Sequence, residues 1–220
     1  KHYTPQRFQV AYVFVFYAIM TLYWTTVKDF IQHFEFIKQG HNRESKKDQA
    51  KNLARLIIWK IIYIGYIIVL PMVLLDLSFL QVFIGFISLH AVAGLILSVI
   101  FQLAHVVEET TFPTPDAKGN IENEWAIHQL ETTADFSNNN PLITFYVGGL
   151  NYQAIHHLFP RICHVHYPAI APIVEQTAKE FGVPYLYNES FGKAFASHIR
   201  ILSKLGKREA TFMAIANSMG

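Results

Sequence analysis

The charged residues of this chain leave a long gap in its middle, and the gap predicts how the chain is organised. Within residues 54–104 only three side chains carry a charge: Arg55, Lys60 and Asp76. The apolar runs 54–75 and 77–104 each reach the roughly 20 residues that a helix needs to cross a hydrocarbon core. Because a short turn separates them, we predict a transmembrane hairpin that begins and ends on the same side of the membrane. Two buried helices of a soluble protein are the alternative.

The basic residues predict the orientation of the hairpin. The loop 28–55 holds seven Lys or Arg residues, whereas the turn of the hairpin holds none. By the positive-inside rule, both ends of the hairpin then lie in the cytoplasm, together with the segment that follows. That segment, 105–220, is polar and broken by Pro and Gly, which predicts a cytosolic cap of helices and loops. The predicted fold class is therefore all-α, an integral membrane protein.

A third apolar stretch, residues 8–27, is rich in aromatic side chains. Its length allows it to cross the bilayer, and its aromatic content also suits a helix that lies in the interface. The pattern of residues alone leaves both possibilities open.

Composition narrows the classes of function. The 220 residues are 52% apolar and only 15% charged, against roughly 25% charged in an ordinary soluble domain. A net charge of +2, with bases and acids mixed, gives no broad face for nucleic acid. The single cysteine, Cys163, excludes an internal disulfide, and the eleven histidines make imidazole the expected metal ligand. The chain starts at Lys1 rather than Met, and we expect it to be a fragment cut at its N-terminus.

A polar stripe runs along the second apolar run and ends at His105. At 100° per residue, Ser98, Gln102 and His105 share one face, with His90 close to it. Polar side chains in a membrane helix are costly unless they face protein, water or a ligand, so we expect a ligand role for His105. For His90 and Ser98, hydrogen bonding between helices is the competing explanation.

The densest group of candidate ligands is Gln153, His156 and His157. If this segment is helical, the three residues occupy positions i, i+3 and i+4 and share one face. The adjacent histidines point about 100° apart, which suits two metal ions better than one. If nothing else is considered, the adjacent His156 and His157 are explained equally well as the polar end of an ordinary helix.

Other candidates carry weaker signals. Glu124 and His128 at i, i+4 are either a ligand pair or a surface contact, and His164 and His166 suit a supporting role. We expect His198 to be solvated, because polar residues surround it. The sequence has no nucleophile elbow, phosphate-binding loop, dinucleotide glycine motif or HExxH motif, which removes the main support for a hydrolase, kinase or nicotinamide dehydrogenase.

Several segments of the chain resemble one known family. GGLNYQAIHHLFP, which contains Gln153, His156 and His157, resembles the third histidine box of membrane fatty acyl desaturases, in the front-end variant where Gln replaces the first His. FQLAHVVEE, WAIHQLETTADF and CHVHYPAIAPIV are also similar to that family. The similarity covers nearly the whole chain and extends to bacterial enzymes of the linoleoyl-CoA desaturase type.

The resemblance implies an enzyme with two non-haem iron ions at the cytosolic membrane face. Such an enzyme uses O2 to remove two hydrogens from a fatty acyl chain, carried on CoA or on a lipid, and leaves a cis double bond. Its electrons come from a ferredoxin or a small haem protein. The residue roles expected on this basis are iron ligands (His105, His156, His157, Gln153, His128), contacts to substrate (His90, Ser98, Gln102, Gln129) and support of the ligands (His164, His166, Asn151).

The chain also departs from the family pattern. The first two histidine boxes, HxxxH and HxxHH, are absent. The three histidines with the strongest case as ligands, His105, His156 and His157, are too few for two iron ions, so we expect the polypeptide as given to be inactive. If the missing boxes precede Lys1 on the cytosolic side, residues 8–27 cannot cross the membrane once, and we expect them to lie in the interface or to re-enter. The alternatives are a di-iron fatty acyl or sphingolipid hydroxylase and a non-enzymatic membrane protein.

Overall fold

The computed structural model describes residues 4–40 and 44–207. The chain divides into two compact units, which we call the apolar unit (residues 14–98) and the polar unit (residues 4–13 and 99–207). Nearly all of the regular structure is helical, which confirms the predicted fold class.

The first half of the chain forms three long helical runs. The first joins a 3-10 turn Thr4–Phe8, α1 Gln9–Tyr23, a π-helical turn Trp24–Lys28 and α2 Asp29–Lys38. The second joins α3 Lys46–Ile64, a π-helical turn Gly65–Val69 and α4 Leu70–Leu74, and the third is α5 Phe79–His105. All three are long and apolar enough to cross a membrane. The first run, Thr4–Lys38, is longer than the stretch 8–27 that the sequence indicated. That this stretch lies in the interface or re-enters the membrane stays a prediction.

Local sequence explains where the hairpin turns. Asp76 takes a left-handed backbone conformation (φ 51°) between α4 and α5. Ser78 and Gln81 then cap the start of α5, since the Gln81 side chain accepts from the Ser78 N–H (2.9 Å) and the Ser78 hydroxyl accepts from the Gln81 N–H (3.4 Å). Ser45 caps α3 in the same way, by accepting from the N–H of Asp48.

Polar contacts join the helices of the apolar unit. Thr21 on α1 and Tyr63 on α3 both bond His90 on α5. Gly94 lets α1 and α5 approach closely, because a Cβ there would lie 2.5 Å from the carbonyl oxygen of Tyr17. Next to it, the Ser98 hydroxyl donates to the same carbonyl (3.4 Å). These contacts determine which residues of the three helices face one another, which apolar packing alone does not specify.

The polar unit contains five further helices and one pair of short strands. The helices are α6 Trp125–Thr132, α7 Pro141–Tyr146, α8 Gln153–Leu158, α9 Tyr167–Glu180 and α10 Phe191–Leu205, with a 3-10 turn His164–His166 before α9. Strands β1 Ala134–Phe136 and β2 Leu186–Asn188 pair in parallel, Ala134 opposite Leu186. The all-α pattern did not predict these strands. Their three-residue length leaves no period that a sequence could display.

The core of the polar unit forms around the end of α5. Leu103, Ala104, Phe136 and Ala194 are buried together there, and they come from α5, β1 and α10. The last turn of α5, which carries His105, is therefore held in place by packing.

Candidate metal centre

Two histidines from α8 meet the histidine that ends α5. The ring centroids of His105 and His157 are 5.1 Å apart, and those of His156 and His157 are 6.0 Å apart. The amide nitrogen of Gln153 lies 3.4 Å from Nε2 of His105 and 3.3 Å from Nε2 of His157. Two imidazole lone pairs thus converge on one position, where the amide N–H groups donate to them.

The protein fixes one ring nitrogen of each histidine. Nδ1 of His157 donates to the amide oxygen of Gln129 on α6 (2.7 Å). Nδ1 of His156 lies 3.1 Å from the hydroxyl of Tyr167, and the ring of His105 bonds the backbone of Thr132. Metal-binding histidines are oriented in this way, with one nitrogen bonded to the protein and the other left for the metal.

The electrostatics of the site keep His157 neutral. Burial, together with the neighbouring His105 and His156, lowers the pKa of His157 to about 4. At pH 7 its ring therefore carries no extra proton, and the lone pair of Nε2 is available as a ligand.

A buried carboxylate holds the N-terminus of α8. Asp135 on β1 accepts from the N–H of Ala154 (2.8 Å) and from the hydroxyl of Tyr185 (2.5 Å). Asn138 donates a third bond to it (3.1 Å). Burial raises the pKa of Asp135 to about 6, and these hydrogen bonds oppose the rise. At pH 7 it places a negative charge at the N-terminus of the helix that carries Gln153 and His157.

Sequence reasoning missed Asp135 and Tyr185. Asp135 begins the segment DFSNNNP, whose Asn and Pro residues are typical of a turn. No local spacing connects Asp135 to Ala154 or to Tyr185, which lie 19 and 50 residues further along the chain. The only signal is the position of an acidic residue among apolar ones before the turn, and that is weak.

Helix α10 holds the segment that follows His105. The Ser197 hydroxyl accepts from the N–H of Glu108 (2.9 Å), and the Glu108 carboxylate pairs with Arg200 and Lys204. His198 is fully buried, and its Nδ1 donates to the carbonyl of Val106 (2.6 Å). The prediction that His198 is solvated was therefore wrong. Its neighbours in sequence are polar, but in the folded chain the side chain is covered by protein and bonds a backbone carbonyl.

The other predicted metal and support residues lie in varied surroundings. His128 precedes Gln129 on α6, and its Nδ1 is buried with no hydrogen-bond partner in the part of the chain that the structure describes. His164 and His166 are exposed. Asn151 is fully buried and donates to the hydroxyl of Thr144 (3.0 Å), so it supports the loop before α8.

The polar stripe on α5 divides into two parts. His90 and Ser98 are buried, and both bond neighbouring helices of the apolar unit. Gln102 is half-buried, and Gln129 orients His157. Contact of these four residues with substrate stays a prediction, and for His90 and Ser98 the contacts favour helix packing.

The donor set tests whether iron fits. Three imidazoles and one amide suit a first-row metal ion. The Gln153 amide nitrogen lies where Nε2 of His105 and Nε2 of His157 converge, and turning the amide over would present its oxygen at the same point. Among the described residues, however, no group of three or more His, Cys, Asp and Glu side chains is arranged as a metal site by itself. The residues therefore fit one part of an iron site.

Comparison with known proteins supports the resemblance. The model of the fatty acid desaturase family matches residues 2–188. The chain is 39% identical to an sn-1 linoleoyl-lipid 6-desaturase of Arthrospira platensis over 199 residues, which cover 90% of this chain and 53% of that protein. It is also 39% identical to the enzyme of that name from Synechocystis over 210 residues, 94% of this chain and 57% of that protein.

A fungal relative extends the comparison. The chain is 42% identical to an acyl-lipid (8-3)-desaturase of Mortierella alpina over 149 residues, 68% of this chain and 33% of that protein. The chain spans about half the length of the first two relatives. No solved structure matches it. Since the family model covers most of the chain and includes every residue of the histidine cluster, the chain belongs to the fatty acid desaturase family.

Proposed function

We propose that this chain carries part of the iron site of a front-end fatty acyl desaturase, which introduces a cis double bond into an acyl chain. The observation that supports this most directly is the meeting of His105 and His157 around the amide of Gln153. The two cyanobacterial relatives are named linoleoyl-lipid desaturases, which favours an acyl chain carried on a lipid over one carried on CoA.

In this proposal, His105, His156 and His157 hold iron, and Gln153 is a ligand or a close neighbour. His128, whose buried Nδ1 lacks a partner among the described residues, is the further candidate. Bound iron supplies the O2-dependent redox chemistry that removes two hydrogens from the acyl chain. The electrons are expected from a ferredoxin or a small haem protein.

The residues of the chain orient and shield this chemistry. Gln129 and Tyr167 hold the rings of His157 and His156 in position. Leu103, Ala104 and Ile155, all fully buried next to the histidines in sequence, exclude water from that side. Asp135 keeps α8 in place through its bond to Ala154.

We also propose that the site lies at the cytoplasmic face of a membrane. The three long apolar helices and the family indicate a membrane protein. The seven basic residues of the segment 28–55, which includes α2 and the start of α3 in the structure, favour the cytoplasm for the start of α3 and, through the hairpin, for His105 at the end of α5. Three histidines and one amide are fewer ligands than two iron ions need, so we expect the 220 residues by themselves to be inactive.

Product analysis tests the function. The protein, expressed as its gene encodes it in a host that supplies linoleoyl lipids, is expected to yield a fatty acid with one more cis double bond, detected by gas chromatography with mass spectrometry. His156→Ala is expected to abolish the product, whereas His33→Ala, a histidine on α2 outside the site, is expected to retain it. An alcohol product would instead identify a hydroxylase, and activity that survives His156→Ala would refute the site.

A further inference from the structure

Helix α7 presents an unusual outer face. Leu142, Phe145 and Tyr146 are 74%, 85% and 68% exposed, although each is large and apolar or aromatic. They lie together on a helix of six residues. A cluster of this kind is costly in water, and it marks a surface that contacts protein or lipid.

The inner face of α7 is firmly held. Ile143 and Val147 pack against Ile100, Leu103 and Ala104 in the last turns of α5. At the start of the helix, the Asn140 side chain accepts from the N–H groups of Leu142 and Ile143, both at 3.1 Å. The outer face is therefore displayed by a helix with a defined position.

The length of α5 indicates how deep α7 lies in the membrane. The 27 residues of α5 extend for about 40 Å, which exceeds the hydrocarbon core by about 10 Å. Because α5 begins directly after the hairpin turn, we expect its first twenty residues to fill the core and its last two turns, 99–105, to reach the headgroups. Helix α7 packs on those turns, so we expect it at the boundary between hydrocarbon and headgroups, where apolar and aromatic side chains are favoured.

The charge pattern favours lipid over a protein partner. Residues 136–160, which contain α7 and α8, include no Asp, Glu, Lys or Arg. An uncharged surface gives no electrostatic complementarity to steer a protein toward it, whereas it enters the edge of a bilayer without leaving a charge unpaired.

We propose that α7 is an interfacial anchor, in which Leu142, Phe145 and Tyr146 insert into the bilayer beside the end of α5. A short loop with two glycines in left-handed conformations, Gly148 (φ 61°) and Gly149 (φ 77°), leads from this anchor toward α8. The anchor thus fixes the helix that carries Gln153 and His157 at the membrane surface. The inference rests on the membrane placement and is independent of the reaction.

Spin labels test the anchor without any measurement of activity. In a background where Cys163 and every other cysteine that the gene encodes are replaced by Ser, a nitroxide is attached at Phe145→Cys and, as the matched control, at Phe181→Cys, whose native side chain is 79% exposed at the end of α9. The protein as its gene encodes it is reconstituted in phosphatidylcholine vesicles. Collision with O2, which concentrates in lipid, is then compared with collision with a water-soluble nickel chelate.

The label at 145 is expected to show a several-fold higher ratio of O2 to nickel accessibility than the label at 181. Equal ratios at the two positions would overturn the proposal. So would a label at 145 that neither reagent reaches, because that result would mean that protein covers α7, whether another part of the same protein, a partner or a second copy. Leu142→Cys repeats the test on the same face if Phe145→Cys fails to fold.

Discussion

Helix α5 carries two histidines that the protein uses differently. His90 is buried, with Nδ1 at 3.1 Å from the hydroxyl of Thr21 and Nε2 at 2.8 Å from the hydroxyl of Tyr63. His105 has one nitrogen bonded to the backbone of Thr132, and its Nε2 lies 3.4 Å from the amide nitrogen of Gln153. Both side chains lie on the same polar stripe. What distinguishes the candidate ligand is that its Nε2 meets a second imidazole, that of His157, at the same amide.

The sharpest test of this difference removes one histidine from each region. His157→Ala removes a ligand and is expected to lower the iron content to background. Removal of a group that only supports a ligand lowers metal affinity by about 10–100-fold, which is a smaller effect. His90→Gln keeps hydrogen-bonding groups between the helices and is expected to leave the iron content unchanged. Metal analysis of the purified proteins measures both. An equal loss in the two variants would abolish the distinction.

The next test weakens the orientation of a ligand without removing it. Gln129→Leu deletes the acceptor for Nδ1 of His157, so the ring loses its fixed tautomer and direction. Iron affinity is expected to fall about 10–100-fold, measured by competition with a chelator. Gln102→Leu, a half-buried glutamine on α5, is the matched control. A comparable fall in the control would show that the effect is not specific to His157.

A third test addresses the support of α8. Asp135→Asn keeps the shape of the side chain but replaces one acceptor oxygen with an N–H donor. The free energy of unfolding of the polar unit is expected to fall by about 1–3 kcal/mol. The new N–H group would face a buried donor, the Ala154 N–H or the Tyr185 hydroxyl, and leave it without an acceptor. Tyr185→Phe, which removes a single bond to Asp135, is expected to cost about 1 kcal/mol. Thermal unfolding measures both, and an unchanged midpoint in Asp135→Asn would contradict the role of the carboxylate.

The smallest expected effect concerns His198, a second histidine held by the protein. Burial lowers the pKa of His198 below its ordinary value of 6.5, so the unfolded chain binds a proton more readily than the folded one. Its contribution to stability is intact above pH 6.5 and is lost as the pH falls below that value. Unfolding midpoints at pH 7.5 and 5.5 are expected to differ less in His198→Gln than in the native protein. The same difference in both would show that His198 does not titrate as a buried group.

Local patterns predicted much of the architecture. The gap in charge predicted two apolar helices, and α3 with α4 and α5 cover both runs. The spacing of Gln153, His156 and His157 predicted one face of a helix, and α8 includes all three. Each of these features depends on residues within a few turns of one another.

The two features that sequence reasoning did not find, the burial of His198 and the role of Asp135, involve distant partners. His198 bonds a residue 92 positions away. Asp135 caps a helix that starts well beyond its own turn. Whether a polar side chain is satisfied depends on what packs against it, and no period in the sequence records that.

Hydropathy and helical spacing are local properties, so the order of residues was enough to locate the apolar helices and to name the residue types that could bind a metal. Which histidines are bonded to hydroxyls and carbonyls of other helices, and which ones meet at the Gln153 amide, became known only from the folded chain. That choice depends on the position of single hydrogen-bonding atoms to within a fraction of an ångström, and packing between distant segments sets those positions.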